Sequence, residues 1–225
     1  MHILIVAATD LEAAPLVAKL HIASEGAGFA TCQYGRHVVD VLVTGVGMVA
    51  TAARCSQALT RKDYDVALNY GVCGSFDPAL PPGRVAHVVS DRIAELGAED
   101  GDAFLTVQQL KLVGDHEFPF TGGQLVNPAP PANAALGDLP AVHGITVNTV
   151  HGNDASIAAV TARFRPQIES MEGAAFMYSC LLAGVPFAQV RAVSNVIERR
   201  NRHAWNIAGA IDNLGVTAAR ILDQL

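Results

Sequence analysis

The sequence contains few cysteines, and they lie far from one another. Only four occur among 225 residues, at Cys32, Cys55, Cys73 and Cys180, and no two form a Cys-x-x-Cys pair. This spacing argues against a zinc site and a disulfide framework, so small buried apolar side chains are their default role. The eight histidines show no metal-ligand spacing either. The sequence therefore predicts no bound metal.

Positive charge is also scarce, and no apolar run is long. The 15 Lys and Arg residues against 21 Asp and Glu residues give a net charge of −6, and the basic clusters are short. We therefore expect a small-molecule ligand rather than a nucleic acid or an anionic membrane surface. Although 51% of the residues are hydrophobic, Gly, Pro or charged residues interrupt each apolar run well before the roughly 20 residues that span a membrane.

Targeting signals and cofactor motifs are missing as well. The strand-like residues 3–6 follow the first residues directly, without a basic leader or a cleavage site, so we expect a cytoplasmic protein. The segment 45–47 (GVG) lacks the third glycine of a dinucleotide fingerprint, and no Gly-Lys-Ser/Thr loop occurs. The sequence therefore predicts no nicotinamide cofactor, no nucleoside triphosphate and no other organic cofactor.

What the sequence does contain is an alternation of strand-like and helix-like segments. The apolar pattern predicts strands at 3–8, 38–44, 66–70, 85–89, 145–150 and 187–193, and helices at 11–20, 49–59, 155–164, 173–183 and 205–225. Such alternation is typical of an α/β fold, with a largely parallel sheet and helices on its faces. The length suits one domain. The Gly-, Pro- and Asn-rich residues 97–140 predict a long excursion that could cover a pocket.

Three segments predict polar or glycine-rich turns after strands. Glu12 follows the first strand at the start of a helix, where it could face a ligand, although an acid in a first helical turn is favoured by the helix dipole alone. The segments 44–48 (TGVGM) and 69–75 (NYGVCGS) follow two further predicted strands. Their glycines could let backbone N–H groups approach a ligand, or could simply make tight turns.

Two further polar residues stand in apolar surroundings. Glu172 opens the apolar helix that begins at Gly173, where an unpaired carboxylate is costly to bury, and the vicinal diol of a ribose would satisfy it. Asn195 ends the apolar strand 191–195 (RAVSN). Its amide offers a donor and an acceptor together, which suits one edge of a heterocyclic base, although a helix cap or a turn would also use asparagine.

In this order and spacing, the motifs resemble the nucleoside phosphorylase and nucleosidase superfamily. The most specific parts of this resemblance are residues 94–101 (AELGAEDG), 170–176 (SMEGAAF), 191–195 (RAVSN) and 198–206 (ERRNRHAWN). Within the superfamily, the chain most resembles the futalosine hydrolases of the alternative menaquinone pathway, which release hypoxanthine from futalosine and leave dehypoxanthinyl futalosine. The resemblance implies a three-layer α/β/α fold with a central mixed, largely parallel sheet. It also implies one catalytic domain over residues 1–225 and a homo-oligomer, dimeric or larger.

The resemblance also assigns roles to individual residues. Glu12 falls on the acid that activates the attacking water in the related nucleosidases, and Glu172 on the acid that holds the ribose 2′-hydroxyl. Met171 is expected beside the sugar, and Ser194 and Asn195 beside the departing base. The remaining residues expected to contact the substrate are Val72, Gly74 and, for the benzoate of futalosine, Arg200. The alternative for Arg200, together with Arg199 and Arg202, is a solvated basic loop.

The chain departs from the adenine-cleaving nucleosidases at two positions. Asn195 stands where those enzymes carry Asp; an amide cannot deliver a proton, but it pairs with the 6-oxo group of hypoxanthine. Ser156 stands where they carry an aromatic residue near the base. Arginines of the kind that hold phosphate in the phosphorylases are missing after the first two predicted strands, which favours hydrolysis. The alternatives are a 6-oxopurine nucleoside phosphorylase, a methylthioadenosine or aminodeoxyfutalosine nucleosidase, and a nucleoside-binding storage relative without activity.

Overall fold

The computed structural model describes residues 1–225 and contains thirteen strands and six α-helices. The strands are β1 His2–Ala7, β2 His21–Gly26, β3 Phe29–Tyr34, β4 His37–Val43, β5 Val66–Ser75, β6 Val85–Ile93, β7 Gly97–Asp100, β8 Ala103–Thr106, β9 Phe120–Thr121, β10 Gln124–Val126, β11 Ala141–Thr146, β12 Ile168–Ser170 and β13 Phe187–Val196. The helices are α1 Asp10–Val17, α2 Met48–Arg61, α3 Ala134–Gly137, α4 Asp154–Phe164, α5 Gly173–Ala183 and α6 Ile207–Asp223, and Arg202–Ala204 form a 3₁₀ turn. None of the helices combines the length and the apolar character that a membrane crossing requires.

Eleven strands form one mixed sheet, and β7 and β8 form a separate hairpin. The sheet runs β2-β3-β4-β1-β5-β12-β11-β6-β10-β9, and β13 pairs in parallel with β5 and antiparallel with β6. Because of that double pairing, β5, β12, β11, β6 and β13 close into a ring of strands. The pairs β1–β4, β1–β5 and β13–β5 are parallel, so their carboxyl ends meet at one edge of the sheet.

Helices cover both faces of the sheet, and β1 shows how the core is divided. Ile3 and Ile5 belong to one apolar cluster, which also contains residues of α1 and α6. Leu4 and Val6 belong to a second cluster, with residues of α2 and α5. Side chains alternate between the two faces of a strand, so a strand buried on both sides is a continuous apolar run. The three-layer α/β/α prediction is therefore confirmed.

The element bounds differ from the prediction in a few places. The predicted strand 145–150 was wrong in its bounds, since β11 ends at Thr146 and the backbone N–H groups of Asn148 and Thr149 donate to the carboxylate of Glu95 at 2.9 and 3.3 Å. The predicted helix 11–20 ends at Val17, and the last helix spans Ile207–Asp223. The excursion 97–140 contains two short hairpins and a one-turn helix.

Candidate active site

Glu12 is fixed at the amino end of α1 by a reciprocal capping arrangement. The N-cap hydroxyl of Thr9 accepts a hydrogen bond from the backbone N–H of Glu12 at 3.3 Å, and the carboxylate Oε2 accepts from the backbone N–H of Thr9 at 3.0 Å. Its other oxygen, Oε1, accepts from the backbone N–H of Val72 in β5 at 3.0 Å. The side chain is buried. Glu12 therefore caps α1 and contacts β5, and its role toward a ligand stays a prediction.

Glu172 lies at the N-cap of α5, where its side chain makes no capping hydrogen bond. Its Oε1 accepts from the backbone N–H of Gly47 at 3.1 Å, and its Oε2 lies 3.5 Å from Nη1 of Arg191. The contact with Gly47 connects the loop after β4 to the start of α5. A buried carboxylate with one backbone donor and one cation keeps capacity to accept further hydrogen bonds, as the sugar-binding role requires.

Arg191 is a buried arginine on β13 whose role the sequence analysis missed. It is 1% exposed. Its Nη2 donates to Oδ1 of Asn69 at 2.6 Å, and its Nε donates to Oε1 of Gln189 at 3.1 Å. Because this guanidinium also contacts Glu172, it holds the Glu172 carboxylate from the side that faces away from the cavity. The available signal was a charged residue inside an otherwise apolar strand.

The polar chain continues from Arg191 to Asp91. Gln189 Nε2 donates to Oδ2 of Asp91 at 3.1 Å, and Thr146 Oγ1 donates to Oδ1 at 2.9 Å. Burial raises the pKa of Asp91 to about 6, although these two hydrogen bonds and the charge of Arg191 act in the opposite direction. The site is therefore supported by a buried network rather than by apolar packing alone.

Two glycines make room for this network. A Cβ atom on Gly71 would lie 2.2 Å from Nη1 of Arg191 and 3.0 Å from Oε1 of Glu12. A Cβ atom on Gly173 would lie 2.2 Å from Oε1 of Gln189. The prediction that the segment 69–75 follows a strand was wrong, because β5 extends to Ser75. The absence of a side chain at Gly71 lets the guanidinium of Arg191 lie close to the backbone of β5, and Gly71 does not form a tight turn.

Asn195 lies near the end of β13, where the register against β5 shifts between Val193 and Asn195. Such an irregularity redirects a side chain. Asn195 Nδ2 donates to the carbonyl of Val196 at 3.0 Å. The hydroxyl of Ser194 lies 2.8 Å from Oδ1 of Asn195 and 3.1 Å from the carbonyl oxygen of Cys73. Ser194 therefore orients the amide of Asn195.

A cavity of about 250 Å³ brings most of the predicted residues together. The predicted residues in its wall are Glu12, Val72, Gly74, Met171, Glu172, Ser194 and Asn195. An apolar part of the wall comes from Trp205, Ile207 and Ile211, which sequence reasoning did not assign. Cys73 also lines the cavity, and burial raises the pKa of its thiol to about 12, so it is no nucleophile at neutral pH.

Two predicted positions lie outside the cavity wall. Arg200 is exposed, and its guanidinium lies 5.2 Å from the ring centroid of Trp205, so it sits behind a residue of the wall. Ser156 is exposed near the start of α4, and its hydroxyl donates to the carbonyl of Asn153 at 3.0 Å. The wall instead contains His151 and Glu169, which the sequence analysis did not single out. No group of three or more His, Cys, Asp or Glu side chains is placed to hold a metal ion.

A sequence profile of the phosphorylase superfamily matches residues 2–225. The chain belongs to the phosphorylase superfamily. It is 34% identical over 185 residues to the futalosine hydrolase of Acidothermus cellulolyticus. That alignment covers 78% of this chain and 71% of the relative. The chain is 36% identical over 182 residues to the futalosine hydrolase of Streptomyces coelicolor, with 76% and 73% covered.

A solved structure of the superfamily supports the same fold. The native futalosine hydrolase of Helicobacter pylori superimposes with a TM-score of 0.84 at 15% identity, over 100% of this chain and 98% of that one. At such low identity the likeness concerns the fold alone. The predicted nucleoside phosphorylase-like fold is confirmed.

Proposed function

We propose that this chain is a futalosine hydrolase, a nucleosidase that cleaves the N-glycosidic bond of futalosine and releases hypoxanthine. The observation that carries the proposal is that one cavity brings the buried carboxylates of Glu12 and Glu172 together with the amide of Asn195. Carboxylates suit a cationic sugar and its attacking water, and an amide suits a 6-oxopurine. The relatives named futalosine hydrolase, at 30–36% identity, support the same substrate.

The mechanism follows from what each group can do where it lies. As the bond between the sugar and the base breaks, its electron pair leaves with the purine, and positive charge develops on the ribose ring. Glu172 accepts hydrogen bonds from the ribose hydroxyls and stabilises that charge, while Met171 packs beside the sugar. Glu12, held by Thr9 and Val72, takes a proton from the water that attacks the anomeric carbon.

The charges around the cavity favour hydrolysis over phosphorolysis. A phosphate co-substrate is usually held by arginine or lysine side chains, and the cavity wall contains neither. The nearby Arg191 already contacts Glu172, Asn69 and Gln189. Water is therefore the nucleophile that the cavity suits.

The test is to incubate the purified protein with futalosine in phosphate-free buffer and to measure hypoxanthine by chromatography, with inosine and methylthioadenosine in parallel. We expect release from futalosine without added phosphate. Release only after phosphate is added would instead identify a phosphorylase. Binding of the nucleoside without turnover would identify a non-catalytic relative.

Asn195→Asp is expected to shift base selection from 6-oxopurines toward 6-aminopurines. A carboxylate facing the 6-oxo group leaves a mismatched pair, whereas it accepts from a 6-amino group. An unpaired buried polar group costs about 1–3 kcal/mol, so the ratio of kcat/KM for futalosine to that for aminodeoxyfutalosine should fall roughly 10- to 100-fold. Asn213→Asp is the matched control, because Asn213 only donates to the carbonyl of Gly83 on the surface. An unchanged ratio in Asn195→Asp would remove that residue from base recognition.

Three further statements about the chain stay predictions. Arg200 is the proposed partner of the benzoate of futalosine, supported by its position against Trp205 at the cavity wall. Assembly into a homo-oligomer, dimeric or larger, and a cytoplasmic location are the other two.

A further inference from the structure

A histidine–carboxylate pair, His151 with Glu169, lines the cavity and has no role in the mechanism above. Glu169 on β12 is 1% exposed. Its Oε1 accepts from the backbone N–H of His151 at 2.9 Å, and its Oε2 accepts a short hydrogen bond from Nδ1 of the same residue. Two hydrogen bonds to one carboxylate fix both the ring orientation and the tautomer of His151.

The second ring nitrogen of His151 is free for a ligand. The Nε2 atom makes no hydrogen bond within the protein, and the side chain is 15% exposed. Burial raises the pKa of Glu169, while its hydrogen bonds to His151 and the charge of His151 oppose that shift. A buried carboxylate whose side-chain partner is an imidazole is stabilised as an ion pair when that imidazole is protonated.

The pair and Asn195 line the same cavity, and Glu169 and Asn195 lie in one row of the sheet. Gly74 of β5 lies opposite Glu169 of β12 on one side and opposite Asn195 of β13 on the other. The register shift before Asn195 redirects its side chain, and two inter-strand spacings amount to roughly 10 Å. The side chain of Ile197 covers Gly74, because a Cβ atom there would lie 2.2 Å from Cδ1 of Ile197. Ile197 also lines the cavity, so a planar base lies against Ile197, with Asn195 at one edge and the His151–Glu169 pair at the other.

The mechanism described so far assigns no proton donor to the departing base. A purine that leaves with the electron pair of the glycosidic bond becomes an anion unless a ring nitrogen is protonated, and the amide of Asn195 has no acidic proton to give. Glu12 takes a proton from water, and Glu172 holds the sugar. Among the ionisable groups of the cavity wall, Cys73 is too weak an acid, since burial raises its pKa to about 12, and the remaining unassigned groups are His151 and Glu169.

We propose that His151, held by Glu169, is the general acid that protonates the departing purine. The inference rests on the proposed function. The bond between the anomeric carbon and the base nitrogen breaks, its electron pair goes to the base, and the Nε2 proton of the His151 imidazolium moves to a ring nitrogen of the purine, which leaves neutral. Water forms the new bond to the anomeric carbon and gives its proton to Glu12. His151 then regains a proton from solvent, and Glu12 loses one.

The other charged groups near His151 lie mostly in an adjoining cavity, which His151 also lines. That cavity contains Glu95, Glu99, Asp102 and Arg163. The carboxylate of Glu95 already accepts hydrogen bonds from the backbone N–H groups of Asn148 and Thr149. On the side of the active site, the charged groups are Glu12 and Glu172, with Arg191 behind Glu172. Arg200 is also close in the chain path, because its backbone N–H donates to the carbonyl of Gly152, next to His151, at 3.1 Å. The direct hydrogen-bond partner of the imidazole is Glu169 alone.

The experiment compares two leaving groups in His151→Gln and Glu169→Gln. The hypoxanthine of futalosine must be protonated as it leaves. In the analogue that carries p-nitrophenol in place of hypoxanthine, the leaving group is p-nitrophenolate, which is a stable anion and needs no proton. For His151→Gln we expect kcat/KM for futalosine to fall about 10²- to 10⁴-fold, but by less than about tenfold for the analogue. Glu169→Gln should show the same pattern with smaller losses. Because the acid must be protonated, the alkaline decline of kcat/KM for futalosine should be present in the wild type and lost in His151→Gln.

His143→Gln is the matched control, since His143 lies on β11 outside the cavity wall and contacts Ser90 at 2.7 Å; it should leave both substrates unaffected. Equal losses on the two substrates in both variants would make the pair structural and overturn the proposal. Unchanged cleavage of futalosine by His151→Gln would overturn it as well, without affecting the proposed function. Failure of the wild type to release hypoxanthine from futalosine would overturn the proposed function and this inference together.

Discussion

Glu12→Gln is expected to lower kcat for futalosine hydrolysis about 10²- to 10⁴-fold, the usual contribution of a general base. KM should change little, because the sugar and the base are held by other residues. Glutamine also supports a capping box, so the amide oxygen can still accept from Thr9. The other carboxylate oxygen accepts from the backbone N–H of Val72, which an amide NH₂ group cannot do, so the free energy of unfolding should fall by about 1–3 kcal/mol. Steady-state kinetics and thermal unfolding of the same preparation give both quantities.

A surface carboxylate provides the matched control for this variant. Glu117 accepts a hydrogen bond from the backbone N–H of Gly114 at 2.9 Å in an exposed loop, and Glu117→Gln should leave kcat unchanged. If Glu12→Gln retained the turnover of the wild type, Glu12 would be a helix cap and nothing more. A lower kcat accompanied by a loss of stability larger than that expected from the contact with Val72 would also contradict the assignment, since the fold itself would then be the cause.

Arg191→Met is expected to destabilise the protein by about 3–5 kcal/mol, because removal of one partner from a buried ion pair leaves the other charge uncompensated. Glu172 would lose its cation, and Asn69 and Gln189 would lose the donors that reach them at 2.6 and 3.1 Å. For a chain of this size, the change corresponds to a decrease in Tm of roughly 10 °C. Denaturant unfolding followed by circular dichroism measures it.

The control for Arg191 is an exposed ion pair. Arg220 lies 3.2 Å from Asp138, and the two side chains are 56% and 66% exposed. Arg220→Met should change the free energy of unfolding by no more than about 1 kcal/mol, as surface pairs contribute little. Similar effects of the two substitutions would show that the buried network does not stabilise the fold. The activity of Arg191→Met should also be lost, because Glu172 would no longer be held toward the sugar.

The sequence revealed the residues that stand out from an apolar pattern. Glu172 before an apolar helix and Asn195 at the end of an apolar strand were recognisable, and the resemblance assigned a role to Glu12. The pair of His151 and Glu169 was not recognisable. Glu169 lies in a strand of three residues, and its partner precedes it by 18 positions in a loop. Their contact depends on the pairing of β11 with β12, which local periodicity does not encode.

The fold was predictable to a similar extent. Strands buried on both faces, such as β1 and β5, are continuous apolar runs and were found. The strand β2 was missed because all six of its residues are exposed, so neither alternation nor an apolar run marks it. The strand β12 was missed because a strand of three residues is too short to show a hydrophobic periodicity. The closed ring of strands arises because β13 pairs with both β5 and β6, a tertiary arrangement that no single segment specifies.

The space over Gly74 bears on how this enzyme could be redesigned. A Cβ atom there would lie 2.2 Å from Cδ1 of Ile197 and 3.4 Å from Nδ2 of Asn195. Ile197 itself lines the cavity, so the two positions share a single volume. An engineer who wishes to narrow the part of the cavity where we propose that the base binds must therefore change both positions, with a smaller residue at 197 before any side chain is introduced at 74. Libraries that vary one position at a time would not reach such combinations.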